Sequence, residues 1–236
     1  MSFKRKPPEG NVRRVSSNGR NIRGVSTNKA GRIVQFESWA ERAFLLRIDR
    51  DPDVADYCSQ PERFPYTDRE GKPHTYTPDF KVWRRNGEIE IHEVTMSVRH
   101  TRPEIRQREE AARAICQARG WRYVVHTEKS LPQLTELANL LALFHYRPDA
   151  YAHQEITRIA LDRLTLHSEG QPVPLHALVA CIADDLNIPR PIVLAGLCHL
   201  LWYGKLSTDL NTLLFVSGEL ASNAMVWIES GKENQL

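Results

Sequence analysis

Apolar residues recur along this chain in two rhythms, and the change between them divides it. Phe36, Ala40, Ala43, Phe44 and Ile48 keep helical spacing, with Glu37, Glu41 and Arg42 on other faces. Asp51-Pro52-Asp53 ends that helix. Short extended pieces at residues 54–58 and 63–66 and a turn at 68–73 follow. Two strands are then predicted at 74–84 and 88–96, joined through Arg85-Asn-Gly-Glu88. Pro103 opens a helix over 104–119, with Ile105, Ala112, Ile115 and Cys116 inward and Gly120 as its stop. Trp121 to His126 reads as a buried strand. After Pro132 the helical rhythm takes over: 133–146, 149–167, 175–186 and 191–202, the last beginning at a proline, then a β-like 212–216. Helix, short turn, helix and small hairpin outline a winged helix. The predicted organisation is a basic, flexible arm (1–34), an α/β domain (35–130) and a mainly helical domain with a winged-helix outline (131–236).

A chain of 236 residues can bury one large core or two modest ones. No apolar run approaches the ~18–20 residues that span a bilayer, and Met1-Ser-Phe-Lys-Arg-Lys6 leads into no apolar stretch of the secretory kind. Cys58, Cys116, Cys181 and Cys198 lie far apart without a Cys-x-x-Cys pair, which argues against structural zinc and against a disulfide framework. A cytoplasmic protein without a membrane partner is expected. Charge is unevenly placed. Lys4, Arg5, Lys6, Arg13, Arg14, Arg20, Arg23, Lys29 and Arg32 precede Glu37 with Glu9 as the sole acid, in a background of Ser, Asn and Gly. Such a segment is either a solvated tail or an arm that neutralises DNA phosphates. The chemistry that follows favours the arm.

Alternation along the second strand puts Ile89, Ile91, Glu93 and Thr95 on one face and Glu90, His92, Val94 and Met96 on the other. Glu93 thus shares a row with two isoleucines, where a carboxylate is disfavoured unless paired or bound to a metal. Asp79, in Tyr76-Thr-Pro-Asp79-Phe80, is delivered by the neighbouring strand. Two carboxylates ~4 Å apart repel by about 4 kcal/mol at an effective dielectric of 20, so the pair implies a cation. Mg2+, with Mn2+ able to replace it, is the oxygen-ligated ion that holds a scissile phosphate and acidifies a water. Glu41 is the best-placed third acid, and Glu37 lies one turn earlier on the same face. Duller readings stand beside these: Glu41 paired with Arg42 or Lys81, Asp79 as a turn residue, His92 as a surface histidine. The histidines form no His-x-x-x-His or Cys/His cluster, and neither a Gly-rich phosphate loop nor a Ser or Cys nucleophile in a recognisable setting is present.

Helix-Glu, Pro-Asp and Glu-x-(Lys) on consecutive strands resemble the PD-(D/E)xK nuclease superfamily. Further segments narrow the likeness: Phe36-Glu-Ser-Trp-Ala-Glu41-Arg-Ala-Phe44, Asp49-Arg-Asp-Pro52-Asp-Val54, Gln60-Pro61, Tyr76-Thr-Pro-Asp79-Phe80, Glu93-Val94 and Gly120-Trp-Arg-Tyr-Val-Val-His-Thr-Glu128. Together they resemble TnsA, the endonuclease subunit of heteromeric bacterial transposases. Leu197-Cys-His-Leu-Leu-Trp202-Tyr-Gly-Lys-Leu206 with Thr208-Asp209-Leu210 resembles that family's C-terminal winged-helix region. The resemblance implies a restriction-endonuclease-like mixed sheet flanked by helices, then a winged-helix domain. It implies Mg-dependent hydrolysis of the 5′ strands at transposon ends, on double-stranded DNA, beside a DDE transposase subunit (TnsB-like) and an AAA+ ATPase regulator (TnsC-like), with nucleoid association on assembly. Glu41, Asp79 and Glu93 take the metal-ligand positions. The lysine expected two residues after Glu93 is replaced by Thr95. Lys81, two residues after Asp79, is then the candidate catalytic cation, with Arg99 and Arg102 less constrained; the alternative is a catalytically degenerate DNA- and partner-binding subunit. DNA contacts are expected from Lys4, Arg5, Lys6, Arg13, Arg14, Arg20 and Arg23, and from Arg190 and Lys205 in the second half.

Overall fold

The computed structural model describes residues 11, 23–166 and 171–229, and the chain divides into two units, Met1–Leu131 and Pro132–Leu236. In the first unit ordered structure begins earlier than expected, at a hairpin of β1 (Gly24–Thr27) and β2 (Ile33–Phe36). Val34 and Phe36 drop from it into the core, and the Phe36 ring occupies the space that a Cβ on Gly24 would need. Residues 24–34 therefore belong to the folded unit rather than to the arm. Lys4, Arg5, Lys6, Arg13, Arg14 and Arg20 lie outside the described residues. Arg23 is half-buried, with Nε and Nη1 out of water, and does not present its guanidinium as a solvated DNA contact would.

Helix α1 (Trp39–Arg50) starts where Ser38 can cap it: the Ser38 hydroxyl accepts from the Glu41 N–H at 3.1 Å. The Glu41 carboxylate reaches back to the Glu37 N–H at 2.8 Å, a variant of the capping box. There follow β3 (Val54–Ser59), β4 (Phe64–Thr67), β5 (Pro73–Tyr76), β6 (Phe80–Arg84), β7 (Ile89–Val94), the single turn α2 (Ser97–His100), α3 (Pro103–Ala118) and β8 (Arg122–His126). The strand expected over 74–84 is two strands. Pro78 has no N–H for a ladder; β5 pairs back on β4, and β6 enters the main sheet. That sheet runs β3-β6-β7-β8, antiparallel except for β7 and β8, which lie parallel with α3 as their crossover. Phe44, Leu45 and Ile48 of α1 pack with Tyr57, Phe80 and Val82. Ala112 and Cys116 of α3 pack with Phe64, Tyr76 and Ile91 on the other face. The unit is the expected mixed sheet flanked by helices.

The second unit contains α4 (Leu134–Phe144), α5 (Gln154–Leu166), β9 (Val173–Pro174), α6 (Leu175–Leu186), α7 (Arg190–Trp202), β10 (Phe215–Val216), β11 (Glu219–Leu220) and β12 (Met225–Val226). Asn187, at φ 51, ends α6 in the left-handed conformation that asparagine tolerates. β10 and β11 form a hairpin, and β12 pairs with β9. Helix α7 is the core of this unit: Val193 and every residue from Gly196 to Trp202 are buried, against α4, α5 and α6. Gly196 lets it approach α5, since a Cβ there would lie 3.1 Å from Ile156 Cδ1. No helix among the described residues is long and apolar enough to cross a membrane.

Candidate active site

Asp79 stands in the break before β6, and Glu93 is the penultimate residue of β7. The alternation of the two strands turns both toward α3. Glu93 is 6% exposed. Its Oε1 accepts from Arg108 Nη2 at 2.5 Å, and its Oε2 accepts from the Tyr76 hydroxyl, which also meets the Tyr123 hydroxyl at 3.1 Å. Asp79 Oδ2 accepts the Val94 N–H at 2.8 Å. Burial, and then the neighbouring Glu93 charge, push the Asp79 carboxyl well above its ordinary range. Burial also raises Glu93, against the lowering effect of Arg108. A hydrogen bond between the two carboxyl groups raises Asp79 further and lowers Glu93. Glu41 is pushed up to about 7, by burial and then by the charge of Asp79. The structure thus brings Glu41, Asp79 and Glu93 into one electrostatic neighbourhood.

Lys81 lies elsewhere on that sheet face. Its ammonium sits 4.1 Å from the Trp121 ring centroid and 5.2 Å from that of Trp83, and 3.9 Å from Glu62 Oε1. The cation at the carboxylates is Arg108, which the motif left unnoticed. A signal existed: Ile105, Arg108, Ala112 and Cys116 are spaced three, four and four residues apart, so the arginine occupies a place in the inward stripe of α3. The Ser38-Trp-Ala-Glu41 spacing also signalled that Glu41 serves a helix start.

The opposite face of β7 corrects a second expectation. His92 is not a surface residue; it is 3% exposed. Its Nε2 donates to Glu90 Oε2 at 3.1 Å, so its Nδ1 accepts from His126 Nε2 at 2.9 Å. Phe44 packs on both rings. Burial, followed by the charge of Arg84, lowers His92 to about 3. Burial, followed by His92, lowers His126 to about 4. Both imidazoles are therefore neutral at pH 7. Glu90, completely buried, is held by Arg84 Nε at 2.9 Å and by Arg122.

The donor set fits a hard divalent ion in chemistry: three carboxyl groups, Glu93 buried and Glu41 and Asp79 half-buried, each raised chiefly by desolvation. In the present arrangement no group of three His, Cys, Asp or Glu side chains among the described residues converges as a metal cage, because Arg108 and Tyr76 hold both oxygens of Glu93. Arg190 and Lys205, of the second unit, are exposed at the start of α7 and after its end.

A comparison with curated proteins finds no match. A family model does match residues 51–128, a segment that contains Asp79, Lys81, Glu93 and Arg108 and ends just after β8, leaving Glu41 outside it. That model is described as the N-terminal part of TnsA-like endonucleases, and over these residues the chain is similar to it.

Proposed function

We propose that this chain is the endonuclease subunit of a heteromeric transposase and nicks the 5′ strands at the element's ends in a Mg2+-dependent hydrolysis. The observation that supports this most is the Asp79–Glu93 pair: two hydrogen-bonded carboxyl groups beside a single arginine, inside a segment matching an endonuclease domain. Asp79 and Glu93, with Glu41, would hold the ion. When bound, Mg2+ supplies charge to the phosphate oxygens and a more acidic water. The chain's own groups hold the carboxylates in place. The Val94 N–H fixes Asp79 from the backbone, Tyr76 fixes Glu93, and Tyr123 braces Tyr76. Glu41, at about 7, takes up or releases a proton near neutral pH.

Arg99, Arg102 and Arg106 are exposed on the segment that leaves β7 just after Glu93 and are suited to DNA phosphates there. The basic residues from Lys4 to Arg20 would extend that contact. The second unit is read as a winged-helix domain that serves partner proteins, a DDE transposase and an AAA+ ATPase, more than base readout. Its α7 is buried where a recognition helix would be exposed, and it leaves Arg190 and Lys205 as phosphate contacts. A catalytically degenerate subunit is the second reading, favoured by Thr95 in the lysine position and by the saturation of Glu93. Nicking of transposon-end plasmid in Mg2+, with the DDE and ATPase partners present, separates the two. The first reading expects 5′-strand nicks that vanish in Asp79→Ala and Glu93→Ala; partner and DNA binding without any nick supports the second.

A further inference from the structure

Arg108 is placed as a functional cation is placed, and its surroundings do not explain it as a structural one. It rises from the inward stripe of α3, where its helical neighbours on the stripe are Ile105 and Ala112. Its guanidinium carbon lies 4.4 Å from the centroid of the Tyr76 ring, and one amino group reaches Glu93 Oε1. The Nε is buried with no hydrogen-bond partner. A guanidinium placed for packing would have that donor satisfied, since a buried donor left unpaired is destabilising. The middle of α3 is tied independently to the turn before it through Glu109, which is buried and accepts from His100 at 3.0 Å. The helix therefore presents Arg108 to the carboxylates from a rigid element.

Thr95, two residues after Glu93 and just beyond the end of β7, carries no charge. A lysine there would approach Glu93 along its own strand. Arg108 approaches it from the facing helix. We propose that Arg108 is the phosphate-binding cation of this site, supplied from α3 in place of the strand lysine, and that it neutralises Glu93 until a divalent ion takes over the carboxylates. Its planar fork suits two oxygens of one phosphate better than an ammonium does, and the unpaired Nε is the second prong of such a contact. This inference rests on the nuclease reading above, and it carries one consequence which that reading lacks. Arg108 and the ion compete for Glu93.

The test is Mn2+ titration calorimetry on the full chain, with strand nicking measured in the assembled complex. Arg108→Ala should bind Mn2+ about tenfold more tightly, a change of ~1.4 kcal/mol, yet nick about 10²–10³-fold more slowly, as when one transition-state donor is removed. Arg108→Lys should keep most of the rate. Thr95→Lys should restore part of it in the Arg108→Ala background, which a packing role for Arg108 does not predict. If Arg108→Ala melts early, Arg108→Gln carries the same comparison. Unchanged or weaker Mn2+ binding, or undiminished nicking, in a folded variant would overturn the assignment of Arg108 while Asp79→Asn still loses the metal. Should Asp79→Asn bind Mn2+ like the wild type, or no variant bind it at all, the nuclease reading fails and this inference falls with it.

Discussion

Glu90 and Glu93 stand three residues apart on β7, both buried, and they are treated in opposite ways. Glu90 faces α1 and meets Arg84, Arg122 and a neutral His92. Glu93 faces α3, where Arg108 is its ion-pair partner among the described residues and the raised Asp79 lies beside it. The first carboxylate meets two guanidiniums, one of them shared with Asp51; the second meets one, beside a second carboxyl group. Buried charge in protein is ordinarily paired because the interior cannot screen it. Full pairing at Glu90 is what a structural role requires, and the weaker pairing at Glu93 is what the proposed function uses.

The largest expected effect breaks the α3 side. Asp79→Ala or Glu93→Ala should lower 5′-strand nicking by about 10³-fold or more, since an ion at a phosphoryl oxygen supplies several kcal/mol. Melting should stay native, and Asp79→Asn should raise Tm at pH 8, because the raised Asp79 carboxyl, ionised when unfolded, then no longer has to take up a proton on folding. Wild-type rates in both alanine variants would remove these residues from the site. On the α1 side the outcome reverses. Glu90→Gln should leave the metal ligands in place but destabilise the fold by about 3 kcal/mol, the cost of breaking a buried ion pair. A Glu90→Gln variant that melts like the wild type would erase the contrast.

The comparison sharpens with pH, because the two faces respond in opposite directions. His92 and His126, lowered to about 3 and 4, would take up protons near their ordinary 6.5 if unfolded. The unfolded state then binds more protons, and stability falls as pH drops from about 6.5 toward 3. Glu41 at about 7 works the other way: its folded pKa is raised, so its contribution is present below 4.5 and is lost as pH rises through 7. Chemical denaturation against pH should show an acid limb that His92→Gln flattens, and a decline between about 4.5 and 7 that Glu41→Gln flattens. A His92→Gln profile parallel to the wild type would mean that the imidazoles are not held neutral. The smallest effect concerns Lys81. Packed over Trp121 and near Glu62, it should cost no more than about tenfold in nicking as Lys81→Met; a loss as large as that of Arg108→Ala would return the catalytic cation to β6.

The row of isoleucines around Glu93 marked the acidic pair and the rhythm an α/β unit, while the mixed sheet followed from the family resemblance. Three features were less legible. Pro78 splits one apparent strand into two because it cannot donate to a ladder, yet the residues on either side still read as extended. His92 looked exposed because alternation was read as inside against outside, whereas β7 lies in the middle of a sheet covered on both faces, so neither row meets water. Arg108 was hidden because it comes from a helix 15 residues after Glu93 and pairs across space. In the second unit, spacing found the helices but could not show that 191–202 is their core helix: a helix apolar all round reads as buried only once its neighbours are counted.

The central claim of the proposed function is that Glu41, Asp79 and Glu93 bind a divalent cation. It is tested most directly by titrating Mn2+ into the full chain at pH 8, wild type beside Asp79→Asn, with heat as the readout. Saturable binding by the wild type, weakened at least about tenfold by removing one carboxylate ligand, is the predicted result; equal binding by both proteins would contradict it.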